Sequence, residues 1–376
     1  MKKIVVTVGT RPEVVKMGPL VHELKRHSEI FQTILVSTSQ HRQMLDQALQ
    51  VFGLVPDHDL NIMVPGQSLC SSTARALEGM GSLLSEIKPH LLLVQGDTNT
   101  VLSGALAAHY HKVPVGHVEA GLRTDDPYLP FPEEMNRRLT SRLCRLHFAP
   151  TKRARDNLMD EGIGPEFIFQ TGNTVIDALY WVKEKYPDRL PEVARTILDR
   201  GRKFILVTVH RRESLETHIF GIMEAFKRFI EAFQDVEIVY PVHLNPKVQE
   251  AASAVLKSVD RVHLISPVSY PEIVNLMASC HFVLTDSGGI QEEAPTFGKP
   301  VLVLRQVTER PEAIEAGVSK LVGVKPENIF KEAALLMESR QAYKEMARQV
   351  NPFGDGKACQ RIRGHIEAFF QNEDGC

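Results

Sequence analysis

Three carboxylate side chains in the first half of the sequence occupy positions where they could exchange protons with a substrate. Asp97 and Glu119 each come at the end of an apolar run, and Glu133 opens a segment with helical periodicity. Carboxylates that share a partly dry cleft acquire separated pKa values and can divide the roles of general acid and general base. The structural alternatives are a helix N-cap at Asp97 and a first-turn acid at Glu133. Glu119 needs a partner in either case.

Two basic side chains follow predicted strands and could bind an anion. Arg11 lies in residues 9–13 (GTRPE), between the first strand and the first helix. Because the backbone N–H groups of a helix N-terminus favour anions, Arg11 indicates a diphosphate site, with an ion pair at a domain edge as the alternative. His210 follows a strand of the second half. It is a candidate phosphate ligand or general acid, and otherwise a satisfied histidine at a strand end.

The most specific local motif is residues 285–294 (TDSGGIQEEA), which read as a strand, a Ser-Gly-Gly turn and a helix. Gly288 and Gly289 would let the backbone approach a phosphate, and Ser287 opens the turn. Glu293 lies on the following helix, where a carboxylate could accept hydrogen bonds from ribose hydroxyls. The combination of the glycines with this acid indicates nucleotide binding.

The elements that position these residues are short apolar runs alternating with amphipathic segments. Continuous Val-, Ile- and Leu-rich runs are typical of parallel strands buried on both faces. The predicted strands form two sets of six: residues 3–8, 31–36, 90–95, 115–118, 147–149 and 168–170, then residues 204–209, 237–240, 262–265, 282–285, 301–304 and 319–322. Repeated strand–helix–strand units predict an α/β fold with two Rossmann-like, doubly wound domains. Residues 183–202 are expected to be a polar connection and residues 357–372 a terminal helix.

The overall composition excludes several classes of protein. The chain has 376 residues, 43% of them hydrophobic and 24% charged, with a formal net charge of −2, so we expect neither a nucleic-acid partner nor a membrane. Five scattered cysteines without a CxxC pair argue against disulfides and structural zinc. The first strand–helix turn lacks a dinucleotide fingerprint, so no dinucleotide cofactor is expected, and without a complete zinc signature we expect no metal. We predict a cytoplasmic enzyme.

Taken together, the motifs resemble those of the non-hydrolysing UDP-N-acetylglucosamine 2-epimerase family. They occur in family order across nearly the whole chain, which makes the resemblance specific. The matching segments are residues 9–13, 40–42, 59–63, 96–98, 116–123, 132–134, 171–174, 210–213, 241–246, 286–293 and 298–301.

The resemblance implies a GT-B-like fold, in which two Rossmann-like domains surround a central cleft. It implies that the terminal helix returns to the first domain, so that residues 1–170 and 355–376 form one domain and residues 171–354 the other. Members of the family interconvert UDP-GlcNAc and UDP-ManNAc without a cofactor. They are usually homodimers that supply units for cell-envelope polysaccharide.

Family roles carry over residue by residue to this sequence. The resemblance implies catalytic roles for Asp97, Glu119, Glu133 and His210. It implies UDP binding by Arg11, His210, Ser287, Gly288, Gly289 and Glu293, and a second, activating UDP-GlcNAc site that includes Gln40, His41 and Gln43. Gly66 stands where some relatives have an arginine in that activating site.

Three other functions share parts of this pattern. A GT-B glycosyltransferase has the same fold and UDP site but transfers the sugar to an acceptor. A hydrolysing epimerase releases free ManNAc. A nucleotide-sugar sensor would bind without catalysis, although a site that only binds gains nothing from clustered acids.

Overall fold

The computed structural model describes residues 1–38, 42–64, 66–124, 126–211, 218–348 and 350–374. The chain divides into two compact units, one made of Met1–Trp181 with Phe353–Cys376 and the other of Val182–Pro352. Each unit holds one parallel β-sheet with helices between its strands. This confirms the predicted pair of Rossmann-like, doubly wound domains. The unit boundaries differ from the expected ones, because most of the helix that follows residue 173 belongs to the first unit.

In its described part, the first unit has a seven-stranded parallel sheet in the order β3-β2-β1-β4-β5-β6-β7. The strands are β1 (Lys2–Val8), β2 (Phe31–Ser37), β3 (His58–Asp59), β4 (Leu91–Gln95), β5 (Val115–Val118), β6 (Leu146–Ala149) and β7 (Ile168–Gln170). Every residue of β4 and β5 is buried, as expected for central parallel strands. The two-residue β3 was not predicted, since a strand of this length leaves no apolar run.

Helices lie between most of these strands along the chain. They are α1 (Arg11–Arg26), α2 (Arg42–Val51), α3 (Leu69–Ile87), α4 (Asn99–Tyr110), α5 (Glu133–Leu143), α6 (Lys152–Asp160) and α7 (Thr174–Lys185). A short 3-10 turn, Pro165–Phe167, precedes β7. Helix α1 begins with a capping box and buries one side along its whole length, including Val14, Met17 and Leu24.

In the second unit, the described residues form a six-stranded parallel sheet in the order β10-β9-β8-β11-β12-β13. Its strands are β8 (Lys203–Thr208), β9 (Val236–Pro241), β10 (Val262–Ile265), β11 (Val283–Thr285), β12 (Val301–Val303) and β13 (Ser319–Leu321). Its helices are α8 (Glu192–Asp199), α9 (Ile219–Ala232), α10 (Pro246–Leu256), α11 (Tyr270–Ser279), α12 (Gly288–Glu293), α13 (Pro311–Glu315), α14 (Pro326–Glu338) and α15 (Arg340–Met346).

The expectation of a polar connection over residues 183–202 is wrong in part. This segment contains the end of α7 and all of α8. Ala194 and Ile197 lie three residues apart on α8 and are both buried, so a narrow apolar stripe was enough to form a helix among many charged residues.

The terminal helix, α16 (Ala358–Asp374), belongs to the first unit. The Asp177 carboxylate of α7 accepts hydrogen bonds from the backbone N–H groups of Ala358 and Cys359 at the start of α16, at 3.1 and 2.9 Å. Farther along the helix, Arg363 Nε donates to Glu23 Oε1 of α1 at 3.0 Å. These contacts join the two ends of the chain in one unit.

Both sheets reverse their strand order next to the first strand of the unit. The reversal lies between β1 and β4 in the first sheet and between β8 and β11 in the second. In open parallel sheets, ligands bind beyond the carboxyl ends of the strands at such a switch point. The loops after these four strands carry Arg11, Asp97, His210 and Ser287, so the candidate residues follow the strands at the switch point of each sheet.

Some features are not found in the described part of the chain. No helix there combines the length and the apolar character that a membrane span requires. The described His, Cys, Asp and Glu side chains do not form a group of three or more that could hold a metal ion.

Candidate active site

Glu119 is held in a strained and buried position directly after β5. Its φ angle is +64°, which is uncommon for a residue with a side chain, and the residue is only 7% exposed. The carboxylate accepts hydrogen bonds from Lys16 Nζ at 2.5 Å, from Asn173 Nδ2 at 3.0 Å and from Gln95 Nε2. Strained residues persist where the surrounding structure determines them, and they concentrate at functional sites. The sequence predicts that the Glu119 carboxylate needs a partner. In the structure, it contacts a lysine ammonium group and two side-chain amides.

Asp97 follows β4 after Gly96, which has a φ of +81°. One carboxylate oxygen, Oδ2, contacts both Nη2 and Nε of Arg137, at 2.6 and 2.9 Å. The N-cap position of α4 belongs to Thr98. The alternative interpretation of Asp97 as an N-cap is therefore wrong, and its carboxylate is instead held by an arginine of α5.

The two adjacent glutamates at the start of α5 have different surroundings. Glu134 is fully buried, and its carboxylate pairs with Arg137 at 3.1 Å and with Arg138 at 2.8 Å. Glu133 is the first residue of the helix and is half-buried, and no described residue forms a hydrogen bond or ion pair with its carboxylate. Glu134 thus serves the structure, whereas the part of the chain that the structure describes shows no such role for Glu133.

Contacts among the loops bring the elements that bear these carboxylates to one edge of the sheet. A Cβ built on Gly96 would lie 3.7 Å from Glu119 Oε2, so the loop of Asp97 passes close to Glu119. On the other side, Asn136 Nδ2 of α5 donates to the backbone oxygen of Asp97 at 2.9 Å. The ends of β4 and β5 and the start of α5 therefore adjoin within the first unit, as the candidate acids require.

Glu13 is a buried carboxylate of the same edge that the sequence analysis did not select. Its Oε2 accepts hydrogen bonds from the N–H groups of Gly9 and Thr10, at 2.5 and 2.9 Å, and its Oε1 accepts one from Thr98 Oγ1 at 2.5 Å. Burial raises the pKa of Glu13 to about 7, against the lowering effect of these hydrogen bonds. The Thr10-x-x-Glu13 spacing is that of a capping box and could have identified it.

Arg11 is the first residue of α1, with a half-buried side chain. The turn before it is closely packed. A Cβ on Gly9 would lie 2.3 Å from Thr38 Oγ1 and 2.4 Å from Thr100 Oγ1, so no side chain fits there. Arg11 therefore projects from a loop whose backbone has little freedom to move.

In the second unit, a buried aspartate organises the loop that carries His210. The fully buried Asp286, which follows β11, accepts hydrogen bonds from the backbone N–H of His210 at 2.9 Å and of Arg211 at 2.8 Å. The His210 ring nitrogen Nδ1 lies 3.3 Å from Asp286 Oδ1, and the ring stacks on His243 at 5.5 Å between centroids. Burial lowers the pKa of His210, and Asp286 opposes that effect.

The Ser-Gly-Gly turn lies where the sequence predicts it, between β11 and α12. Ser287 N donates to Thr285 Oγ1 at 2.9 Å. A Cβ on Gly289 would lie 3.5 Å from Glu293 Oε1, so the Glu293 carboxylate lies over the turn. Helix α12 spans only six residues and continues as a 3-10 turn, Ala294–Phe297, which makes it a weaker source of aligned N–H dipoles than the sequence suggested.

A basic side chain that the sequence analysis did not select lies beside this turn. Arg310 precedes α13, and its Cζ would lie 3.3 Å from a Cβ on Gly288. Its Nε donates to Glu292 Oε1 at 2.7 Å. Any residue larger than glycine at position 288 would press on this guanidinium group, which gives Gly288 a packing role in addition to its backbone freedom.

The residues of the expected activating site are largely outside the described part of the chain. This applies to Gln40 and His41, and the side chain of Gln43 is also not described. Gly66 is exposed, has a φ of +73°, and has open space around it.

The amino-acid sequence of this chain is similar to those of known proteins over nearly its whole length. The family model "UDP-N-acetylglucosamine 2-epimerase" matches residues 22–367. UDP-N-acetylglucosamine 2-epimerase of Escherichia coli K12 is 50% identical over 375 residues, which is 98% of this chain and 99% of that protein.

Solved structures with ligands are also similar to this chain. The UDP-GlcNAc 2-epimerase from Neisseria meningitidis bound to UDP-GlcNAc has a TM-score of 0.88 and 44% identity, covering 97% of this chain and 100% of that one. The Staphylococcus aureus MnaA–UDP co-structure has a TM-score of 0.88 and 45% identity, covering 99% and 97%. The chain therefore belongs to the UDP-N-acetylglucosamine 2-epimerase family.

Proposed function

We propose that this protein interconverts UDP-GlcNAc and UDP-ManNAc without hydrolysing them. The observation that carries the proposal is the joint match of fold and sequence to UDP-GlcNAc 2-epimerases over nearly the entire chain. The carboxylates after β4 and β5 and at the start of α5 supply the acid and base chemistry that inversion at a sugar carbon needs.

The chemical problem is that the C2 proton of the sugar is not adjacent to a carbonyl group. In the proposed route, the bond between C1 and the UDP oxygen breaks while a base removes the C2 proton. The products are a 2-acetamidoglucal, with a double bond between C1 and C2, and UDP. A proton then adds to C2 from the opposite face, and the UDP oxygen adds back to C1. Each step balances without an oxidant or a metal.

The described residues match the needs of these steps. Asp97, Glu119 and Glu133 are the candidates for the base and the acid, and a positioned group of this kind contributes roughly 10²–10⁴ in rate. Glu119 lies against the Lys16 cation, whereas Glu133 has no partner among the described residues. The two opposite proton transfers of the reaction could therefore use carboxylates in different surroundings.

The departing diphosphate needs preorganised positive charge and hydrogen-bond donors. We propose that His210 and residues 287–289 of the second unit provide them, with Glu293 on the ribose. UDP binding by Arg11, which the family resemblance implies, stays a separate prediction. The Glu293 carboxylate above Gly289 supports a ribose close to the turn. His210 can supply charge because Asp286 lies 3.3 Å from its Nδ1 and stabilises the imidazolium form.

Incubation of the pure protein with UDP-GlcNAc in deuterated water tests the proposal. We expect UDP-ManNAc with deuterium at C2, detected by proton NMR, and UDP-GlcNAc that also gains deuterium as the reaction reverses. Free ManNAc in amounts that match the UDP released, with no UDP-ManNAc, would instead establish a hydrolysing epimerase. A requirement for an added acceptor would establish a glycosyltransferase. Binding without turnover would establish a sensor.

We also propose that UDP-GlcNAc activates the enzyme at a second site that includes Gln40, His41 and Gln43, because these residues match the activator positions of the family. Gly66, in place of an arginine, removes one phosphate contact from that site. A progress curve from pure UDP-ManNAc should show a lag that a trace of UDP-GlcNAc abolishes, and Gln43→Ala should prolong the lag. Full-rate conversion from the start, with no response to UDP-GlcNAc, would exclude the second site.

Three remaining expectations stay predictions. They are the cytoplasmic location, the homodimer and the supply of ManNAc units to cell-envelope polysaccharide. Sedimentation of the purified protein tests the homodimer directly.

A further inference from the structure

The two loops at the switch point of the first sheet carry candidate functional residues, but these residues do not themselves hold the loops together. At this point the loops after β1 and β4 leave in opposite directions, to α1 and to α4. The first loop leads to Arg11 and the second carries Asp97. A site that uses both residues needs something to hold these two loops at a fixed separation.

Glu13 connects the two loops with its two carboxylate oxygens. Oε2 accepts hydrogen bonds from Gly9 N and Thr10 N on the β1 side, and Oε1 accepts one from Thr98 Oγ1 on the β4 side. The residue is buried, so these hydrogen bonds face little competition from water. Thr98 immediately follows Asp97, so the bridge ends one residue from the candidate catalytic carboxylate.

The packing around the bridge allows little adjustment. Gly9 has no room for a side chain against Thr38 and Thr100, whose hydroxyl oxygens lie 2.9 Å apart. These contacts join the residues that follow β1 and β2 to the first turn of α4. Loss of the Glu13 carboxylate would leave two backbone N–H groups and a hydroxyl without their acceptor in a closely packed region.

We propose that Glu13 is a positioning residue that holds the loops of Arg11 and Asp97 at the separation the reaction needs. Part of this inference rests on the proposed function, because it assigns UDP binding to Arg11 and proton transfer to Asp97. Because the two carboxylate oxygens of Glu13 contact different loops, the loss of one contact and the loss of the whole carboxylate should have different effects. Release of the Thr98 end affects Asp97 alone, whereas loss of the carboxylate affects both loops.

Three variants separate these effects. Thr98→Val removes one hydrogen bond, and we expect kcat to fall about tenfold with UDP affinity unchanged. Glu13→Ala should lower kcat at least as much and also weaken UDP binding about tenfold, measured by calorimetry. Glu13→Gln can accept both N–H groups with its oxygen and donate its NH2 to the Thr98 hydroxyl, so it should restore most of what Glu13→Ala loses.

Asp177→Ala is the matched control, because Asp177 is also a buried carboxylate that accepts two backbone N–H groups at a helix start. It should lower the melting temperature and leave kcat and UDP affinity unchanged. If Asp177→Ala and Glu13→Ala lower activity only in proportion to their loss of folded protein, Glu13 is merely structural and the proposal is wrong. If Glu13→Ala does not fold, an unchanged kcat in Thr98→Val refutes the proposal by itself.

A failure of the proposed function would be visible separately, as wild-type protein that makes no UDP-ManNAc. The calorimetric series would still test the bridge in that case. UDP binding weakened in Glu13→Ala, but retained in Thr98→Val and Glu13→Gln, would support the role at the Arg11 loop. Equal UDP affinity in all of these variants would overturn it.

Discussion

Replacement of Asp286 by asparagine would test the proposal that His210 provides positive charge for a diphosphate. In the wild type, Asp286 Oδ1 lies 3.3 Å from His210 Nδ1, and Oδ2 accepts the N–H groups of His210 and Arg211. An asparagine oxygen can retain the two shorter bonds made by Oδ2, while its NH2 group faces the imidazole and gives up the longer contact of Oδ1 with His210 N at 3.1 Å. The loop can therefore keep its conformation as the imidazolium ion loses its counter-charge.

The size of the effect follows from the distance. At 3.3 Å, two unit charges attract each other by about 5 kcal/mol at an effective dielectric constant of about 20 and by about 1 kcal/mol at that of water. Because the His210 side chain is 35% exposed, solvent screens much of this attraction. We expect a loss of 1–2 kcal/mol, on the order of tenfold in the Kd of UDP at pH 7.

The sign of the pH dependence is also determined by the structure. Burial lowers the pKa of His210 in the free protein, and the opposing effect of Asp286 disappears in the variant, so the pKa falls further. UDP affinity that depends on the imidazolium ion decreases as the pH rises through the pKa of the complex. In Asp286→Asn this decrease should occur at lower pH than in the wild type.

Calorimetry of UDP binding between about pH 5 and pH 8 measures this dependence, within the range in which histidine titrates. His243→Gln is the control in which the pKa of His210 should shift in the opposite direction, because the charge of His243 lowers that pKa. This variant should extend tight binding to higher pH. Identical pH profiles for the wild type and Asp286→Asn would refute the reasoning, and so would a shift in the same direction for both variants.

Two further predictions concern the stability of the first unit. Gly121→Ala should destabilise the fold by at least about 3 kcal/mol, since its φ is +91° and a Cβ would lie 2.0 Å from Ala154 O. Gly162→Ala, with positive φ but open space, should cost only about 1 kcal/mol, and equal melting temperatures would contradict this. Burial raises the pKa of Glu13 from 4.5 to about 7. The free energy of unfolding of the wild type should therefore fall by up to about 3 kcal/mol as the pH rises from 4.5 to about 7. Relative to the wild type, Glu13→Gln should therefore gain stability over that range in urea denaturation, and a constant difference would exclude the shift.

Local patterns in the sequence were sufficient for most of the fold. Buried parallel strands leave continuous apolar runs, so twelve strands could be predicted, and the Ser-Gly-Gly turn could be placed between a strand and a helix. The two elements that were not predicted also have local explanations. The two-residue β3 leaves no pattern, and α8 hides a short apolar stripe among charges. The expected positions of Asp97, Glu119 and His210 at strand ends agree with the observed elements.

The two-domain α/β class, the positions of most strands along the chain and the residue types that follow them could be predicted from local sequence patterns alone. The folded chain was needed to show which polar and charged side chains meet: Lys16 with Glu119, Arg137 with Asp97, Asp286 with His210, and Glu13 with Thr98. Each of these pairs joins loops or helices that are distant in sequence, and their distances depend on the order of strands in the sheet. A sequence pattern records local periodicity and carries no such long-range distance. For that reason the candidate acids could be named in advance, whereas the groups that hold and tune them became visible only in the folded chain.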